Sequence, residues 1–190
     1  MKTLPGTLLM SLLLASSVAA HSPVLDKSPK TAKAPFVIEE PEHSKAIFAE
    51  LTGAPQFYQI TSAESFDFYV GITAPKLENC NLIQTFSFEV LDARMQQIDI
   101  RDGSAAPWKP WYEEFGKKWY WAGPEIGSAF AHDRRYAAGT YFIRVFNAQN
   151  TGKYVLAVGD QEEFGFLDVF TLPGKVQEIN KLFWDETACR

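Results

Sequence analysis

The chain is poor in the residues that most often carry chemistry. Its 190 residues include two cysteines and three histidines. Neither cysteine sits in a Cys-x-x-Cys pair or at metal-ligand spacing, so the sequence offers no structural zinc motif and no dithiol redox motif. No Gly-x-Ser-x-Gly elbow is present, and Ser128 in "IGSAF" lacks the context of a nucleophile. His132, beside Asp133 and Arg134, could orient a base but has no nucleophile to serve. Basic runs are missing as well. Eighteen lysines and arginines are scattered among 23 acids, for a net charge of −5. That balance makes nucleic acid or an anionic membrane surface a poor partner. Beyond residue 20 no apolar run approaches the roughly 20 residues that a bilayer-spanning helix needs. These absences point to a non-catalytic protein with no cofactor, no nucleic-acid partner and no membrane span.

The N-terminus has the three parts of a secretory signal peptide. Lys2 supplies a positive start, residues 8–14 form an apolar run broken only by Ser11, and Val18-Ala19-Ala20 offers small residues for cleavage. The expected organisation is a signal peptide at 1–20, a flexible Pro- and Lys-rich spacer at 21–35, a folded domain at 36–186, and a short tail at 187–190. Export, to a periplasm or out of the cell, places the chain in an oxidising compartment. There Cys80 and Cys189 could form a disulfide, and two separate thiols remain the alternative.

From Phe36 onward the dominant period is two. Phe66, Phe68, Val70 and Ile72 share one face, as do Phe86, Phe88 and Val90. Tyr141, Ile143 and Val145 alternate in the same way, as do Tyr154, Leu156 and Val158. Residues 95–100 place Ile98 and Ile100 together, and 46–51 and 56–60 are weaker strand candidates. Aromatic and β-branched residues at this period suit a pleated, half-buried surface. Gly, Pro, Asn and Asp mark the breaks. Residues 140–146 and 153–158, joined by "NAQNTG", are expected to form an antiparallel hairpin. Seven or eight such strands predict an all-β, antiparallel, jelly-roll-like β-sandwich. After Pro173-Gly174, the spacing of Val176, Ile179, Leu182 and Phe183 predicts a short C-terminal amphipathic helix packed on the sandwich.

One stretch stands out. "WKPWYEEFGKKWYWAGPE", residues 108–125, holds four of the five tryptophans. Pro110 could open a short helix, with Glu113 and Glu114 in its first turn and Trp111 and Phe115 on one side. Trp119 and Trp121 then alternate with Tyr120, as in a strand. Two expectations compete. Trp108, Trp111, Tyr112, Trp119 and Trp121 could form a stacking surface for a glycan or a protein partner, with Glu113 and Glu114 as its polar rim. Alternatively the stretch carries its own small core, as a long ordered loop must.

The nearby acids Asp102, Glu113, Glu114, Glu125 and Asp133 could hold Ca²⁺ at one end of a sandwich, although their spacing is not that of an EF-hand. Glycoside hydrolysis by two paired acids is the corresponding enzymatic alternative. If cleavage follows Ala20, His21 becomes the amino-terminal residue and could chelate copper with His43 or His132. A flexible spacer is a poor base for such a rigid site.

Two resemblances add to this. "AAGTYFIRVFNAQNTGKYVLAVGD" (137–160), through Ala138-Gly139-Thr140-Tyr141 and Gly152, Tyr154, Leu156 and Val158, resembles the closing hairpin of bacterial pre-peptidase C-terminal domains, which are jelly-roll-like. "EPEHSKAIFAEL", "WYEEFG", "WYWAGPEIGS" and "GKYVLAVGD" resemble a family of uncharacterised secreted or membrane-tethered prokaryotic proteins. The resemblance implies a fold and a compartment and supplies no site. The expected function is a secreted binding or accessory module acting on a glycan or protein of the cell envelope or beyond it. A self-assembling envelope protein with its aromatics buried is the alternative, and a calcium or copper enzyme is the lesser one.

Overall fold

The computed structural model describes residues 22–25, 27–28, 30–78, 80, 83–114, 116–127, 135–161 and 168–184. The expected signal peptide, tail, His21, Phe115, Ser128, His132, Asp133, Arg134 and Cys189 lie outside them. Cys80 is disulfide-bonded.

The strands are β1 (Ser22–Leu25), β2 (Phe36–Ile38), β3 (Lys45–Thr52), β4 (Gln56–Ser62), β5 (Phe66–Asp67), β6 (Val70–Pro75) and β7 (Ser87–Leu91). There follow β8 (Gln97–Arg101), β9 (Lys109–Glu113), β10 (Lys118–Ile126), β11 (Arg135–Tyr136), β12 (Gly139–Phe146), β13 (Thr151–Val158) and the helix α1 (Asp168–Phe183). They build a sandwich. One sheet has six strands in the order β1-β3-β13-β6-β10-β9, and the other has five in the order β2-β4-β12-β7-β8. A small third sheet pairs β11 with β5.

The period-two pattern explains the core. Phe86, Phe88, Val90, Ile143, Val145, Leu156 and Val158 are fully buried between the sheets. Phe66, Phe68, Val70 and Ile72 also point inward, although the chain leaves the small sheet after Asp67 and joins the six-stranded one at Val70. At the centre two hydroxyls from opposite sheets meet. Tyr58 Oη lies 2.6 Å from Tyr154 Oη, which donates to Gln56 Oε1 at 2.6 Å, and Gln56 Nε2 donates to the Glu50 carbonyl at 2.7 Å. Each polar group of this buried relay has a partner, which burial requires.

Several expectations need correction. The strands at 140–146 and 153–158 do not pair with each other. β12 pairs with β4 and β7, whereas β13 pairs with β3 and β6, so the connection crosses from one sheet to the other. Each strand turns its aromatic and aliphatic side into the same core from opposite sides, and alternation alone cannot tell this arch from a hairpin. The expected spacer is partly built into the fold: β1 pairs in parallel with β3, and Lys30 is buried. β2 likewise pairs in parallel with β4. The sheets are therefore mixed and not purely antiparallel. The side carrying Ile98 and Ile100 faces outward, at 49% and 43% exposure.

α1 starts earlier than the spacing predicts and contains Pro173. It lies on the outer face of the six-stranded sheet. There Ile179 and Phe183 join Phe48, Tyr120 and Val155 in a second apolar cluster. Phe183 meets Phe48 edge-on at 4.9 Å, and Lys153 Nζ donates to the Leu182 carbonyl at 2.9 Å, a cation at the helix C-terminus where the dipole favours it. Among the described residues no helix is long and apolar enough to cross a membrane.

Candidate functional site

The aromatic stretch is a β-hairpin and not a helix. β9 and β10 pair antiparallel, with Trp119 opposite Tyr112, Tyr120 opposite Trp111, and Trp121 opposite Pro110. Pro110 fits because β9 is the edge of its sheet, where a missing N–H goes unused. Glu113 Oε2 accepts the Gly116 amide at 2.6 Å and so helps to close the turn.

Alternation then divides the rings. Trp121 packs half-buried against the main core, and so does Trp108. The Trp108 indole N–H donates to the Gly103 carbonyl at 2.8 Å, and its ring lies flat over Gly123. A Cβ on Gly123 would come within 2.5 Å of that ring, so only glycine fits beneath it. Trp119 stands beside Trp121 at the sheet margin, 46% exposed and 5.2 Å from Tyr112. Lys76 Nζ lies 5.8 Å from the Trp119 ring and 5.7 Å from that of Trp121. On the opposite face Trp111, 47% exposed, lies 5.8 Å from Tyr120, which meets Trp184 edge-on at 5.1 Å. The five candidate aromatics thus form no single surface. Two are core and three are presented, on two sides of one ribbon.

The acids do not gather either. Glu114 is exposed, and among the described residues no three His, Cys, Asp or Glu side chains stand close enough to hold a metal ion. Asp102 holds its own loop: the Ser104 hydroxyl and amide donate to it and keep its carboxyl below the usual range. His43 Nδ1 lies 3.2 Å from Glu40 Oε2.

The structure instead presents a groove of about 420 Å³ on the outer face of the six-stranded sheet. Its floor is Gly71, Thr73, Ala122, Gly123, Val155 and Ala157. One wall is α1, through Val176, Ile179, Asn180 and Trp184, and the other is the hairpin, through Trp111, Glu113, Lys118 and Tyr120. Tyr69 and Glu125 stand at one end, with the phenol donating to Glu125 Oε2 at 3.4 Å. Burial, then the Glu125 charge, push the Tyr69 phenol well above its ordinary range, so it remains a neutral donor. The volume is that of a small-ligand site.

Of the residues singled out in the sequence, Trp111, Glu113 and Glu125 line the groove. Tyr69, Tyr120, Ala122 and Trp184 were missed as site residues: Tyr69 and Trp184 come from two other parts of the chain, and Tyr120 and Ala122 are the positions of β10 that alternate with Trp119 and Trp121. One signal was available. The outward positions of β3, β6 and β13 include Ala46, Phe48, Gly71, Thr73, Val155 and Ala157, where a solvated sheet face would carry charge.

No family model matches the chain, and no curated protein matches it. Among solved structures, a β-glucosidase from Paenibacillus barengoltzii is similar at 8% identity and a TM-score of 0.27, over 74% of this chain and 13% of the enzyme's length. A likeness at that score bears on neither fold nor activity.

Proposed function

We propose that the chain is an exported, non-catalytic binding module whose ligand lies in the groove between α1 and the β9–β10 hairpin. The supporting observation is the groove's construction. An uncharged floor of small residues is flanked by aromatic rings, and a few polar groups stand at its rims. The floor strands β3, β13, β6 and β10 are interior to their sheet, so up to Ala122, where the β10 register shifts, ladders consume their backbone donors and acceptors. Such a floor offers apolar contact and little hydrogen bonding. Between the two expected partner classes, it favours apolar groups over the hydroxyls of a glycan. Export rests on the signal-peptide pattern of residues 1–20.

The test uses the neutral apolar dye N-phenyl-1-naphthylamine. Saturable dye fluorescence with energy transfer from tryptophan is expected in the wild type. It should be lost in Ala122→Phe, which fills the floor, while that variant keeps its melting temperature. Dye binding unchanged in Ala122→Phe would sink the proposal.

A second reading, self-assembly, draws on a different observation. The outer face of the five-stranded sheet exposes Val37, Ile98 and Ile100, the first at 55%. Ile98 and Ile100 lie on β8, an edge strand of that sheet, and an exposed apolar edge strand is a template for association. Sedimentation velocity of the wild type against Ile98→Lys separates this from the binding module: a single monomeric species in both removes the second reading.

A further inference from the structure

We propose that the groove selects an amphiphilic cation, an apolar chain or ring system carrying an ammonium-type head that sits at the Tyr69–Glu125 end. This rests on the groove being the ligand site. Three observations on the page carry it.

The first is the charge at that end. Glu125 is exposed, and its carboxylate accepts the long 3.4 Å bond from Tyr69. Asp160 is close enough to act electrostatically on the same phenol. Two carboxylates beside a phenol that donates to one of them suit a cation better than an anion, and the nearby Arg101, whose Nε donates to the Glu125 carbonyl at 2.9 Å, is already paired with Asp99.

The second is the opposite rim. Glu113 lines the hairpin wall there, and Lys118 is the one basic residue among the described residues that line the groove. Lys118 Nζ lies 5.3 Å from the centre of the Trp184 ring, so its charge rests on an aromatic face. The groove wall already accommodates one ammonium group by this means.

The third is the body between the ends. Gly71, Ala122 and Ala157 leave room above the sheet, and Trp111, Tyr120 and Trp184 border it. Rings attract an ammonium group from their faces, and the small floor residues accept hydrocarbon. An uncharged apolar ligand would use only the body. A cation uses the body and the acidic end together.

The experiment compares three ligands sharing one ten-carbon chain: decyltrimethylammonium, decanol and decyl sulfate. Each is titrated below its micelle concentration and followed by tryptophan fluorescence and by displacement of N-phenyl-1-naphthylamine. The cation is expected to bind about tenfold tighter than the alcohol, and the sulfate weakest. Glu125→Gln should bring the cation's affinity down toward that of the alcohol, and added salt should do so in part. Equal affinity for all three ligands would overturn the cation proposal and leave the binding groove standing. Displacement of the dye by none of them, together with dye binding that Ala122→Phe does not abolish, would remove the groove itself. A cation preference that survives in Ala122→Phe places the charged site elsewhere and also overturns the proposal.

Discussion

Trp108 and Trp111 are three residues apart and have opposite employments. Trp108 gives its N–H to the Gly103 carbonyl, meets Phe86 edge-on at 6.5 Å and covers Gly123. Trp111 leaves nearly half its surface in solvent and faces the groove. The same division separates Trp121 from Trp119, two residues apart on one face, because the first lies over the core and the second beyond its margin. Clustered aromatics are therefore no measure of a binding surface by themselves. What decides is the register of the ribbon that carries them and where the core beneath it ends.

Mutations can break this contrast. The largest effect is expected from Trp108→Ala, which removes the half-buried ring and strands the Gly103 carbonyl. A loss of about 3 kcal/mol in urea denaturation is expected, with an unchanged slope. Next comes the centre of the sandwich. Tyr154→Phe removes the hydroxyl that links Tyr58 to Gln56 and should cost about 1–3 kcal/mol by the same measurement. Trp111→Ala should change stability by no more than about 1 kcal/mol, since the ring is half exposed, while weakening dye binding severalfold. Trp119→Ala is expected to shift stability by about 0.5 kcal/mol at most and to leave dye binding intact, because its ring is on the other side of the ribbon. Equal losses of stability from all three tryptophan changes would mean the hairpin is a single satellite core.

Alkaline pH probes the contrast from the covered side. Burial is the largest cause of raised phenol values at Tyr69, Tyr120 and Tyr154. A group whose folded value is raised stabilises fully below its unfolded value, about 10 for tyrosine, and loses that contribution as pH climbs from there through the folded value. Stability is thus expected to fall above about pH 10. Phenolate absorbance of these tyrosines should appear together with unfolding and not before it.

Much of the sandwich was legible because alternation reports which side of a strand is buried. The inward residues of β7, β12 and β13 were readable one by one. Alternation says nothing about which sheet a strand joins, and so β12 and β13 looked like a hairpin. Pro110 looked like a helix start because proline suits both a first helical turn and an edge strand, and only the neighbouring strand decides. β1 and β2 were not legible: strands this short join the sheets in parallel through contacts with β3 and β4 that no local pattern announces. The groove was half visible, through Trp111, Glu113 and Glu125. Its floor was hidden in small residues, whose importance is the space they leave.

Gly123 and Trp108 are separated in sequence by a turn and a strand, yet the ring of one occupies the place of the other's missing side chain. Gly103 completes the set: a Cβ there would fall 1.8 Å from the Phe86 carbonyl oxygen, and its own carbonyl receives the indole N–H. The three positions are therefore sterically coupled, and a change at one is expected to strain the others. Among descendants of this fold, a lineage that replaces Trp108 with a small residue becomes free to fill position 123, while one that fills 123 first loses the anchor of its hairpin. The order of change is constrained, and the pair should vary together or not at all. That makes Gly103, Trp108 and Gly123, more than the exposed rings, the marks by which distant kin of this chain would be known.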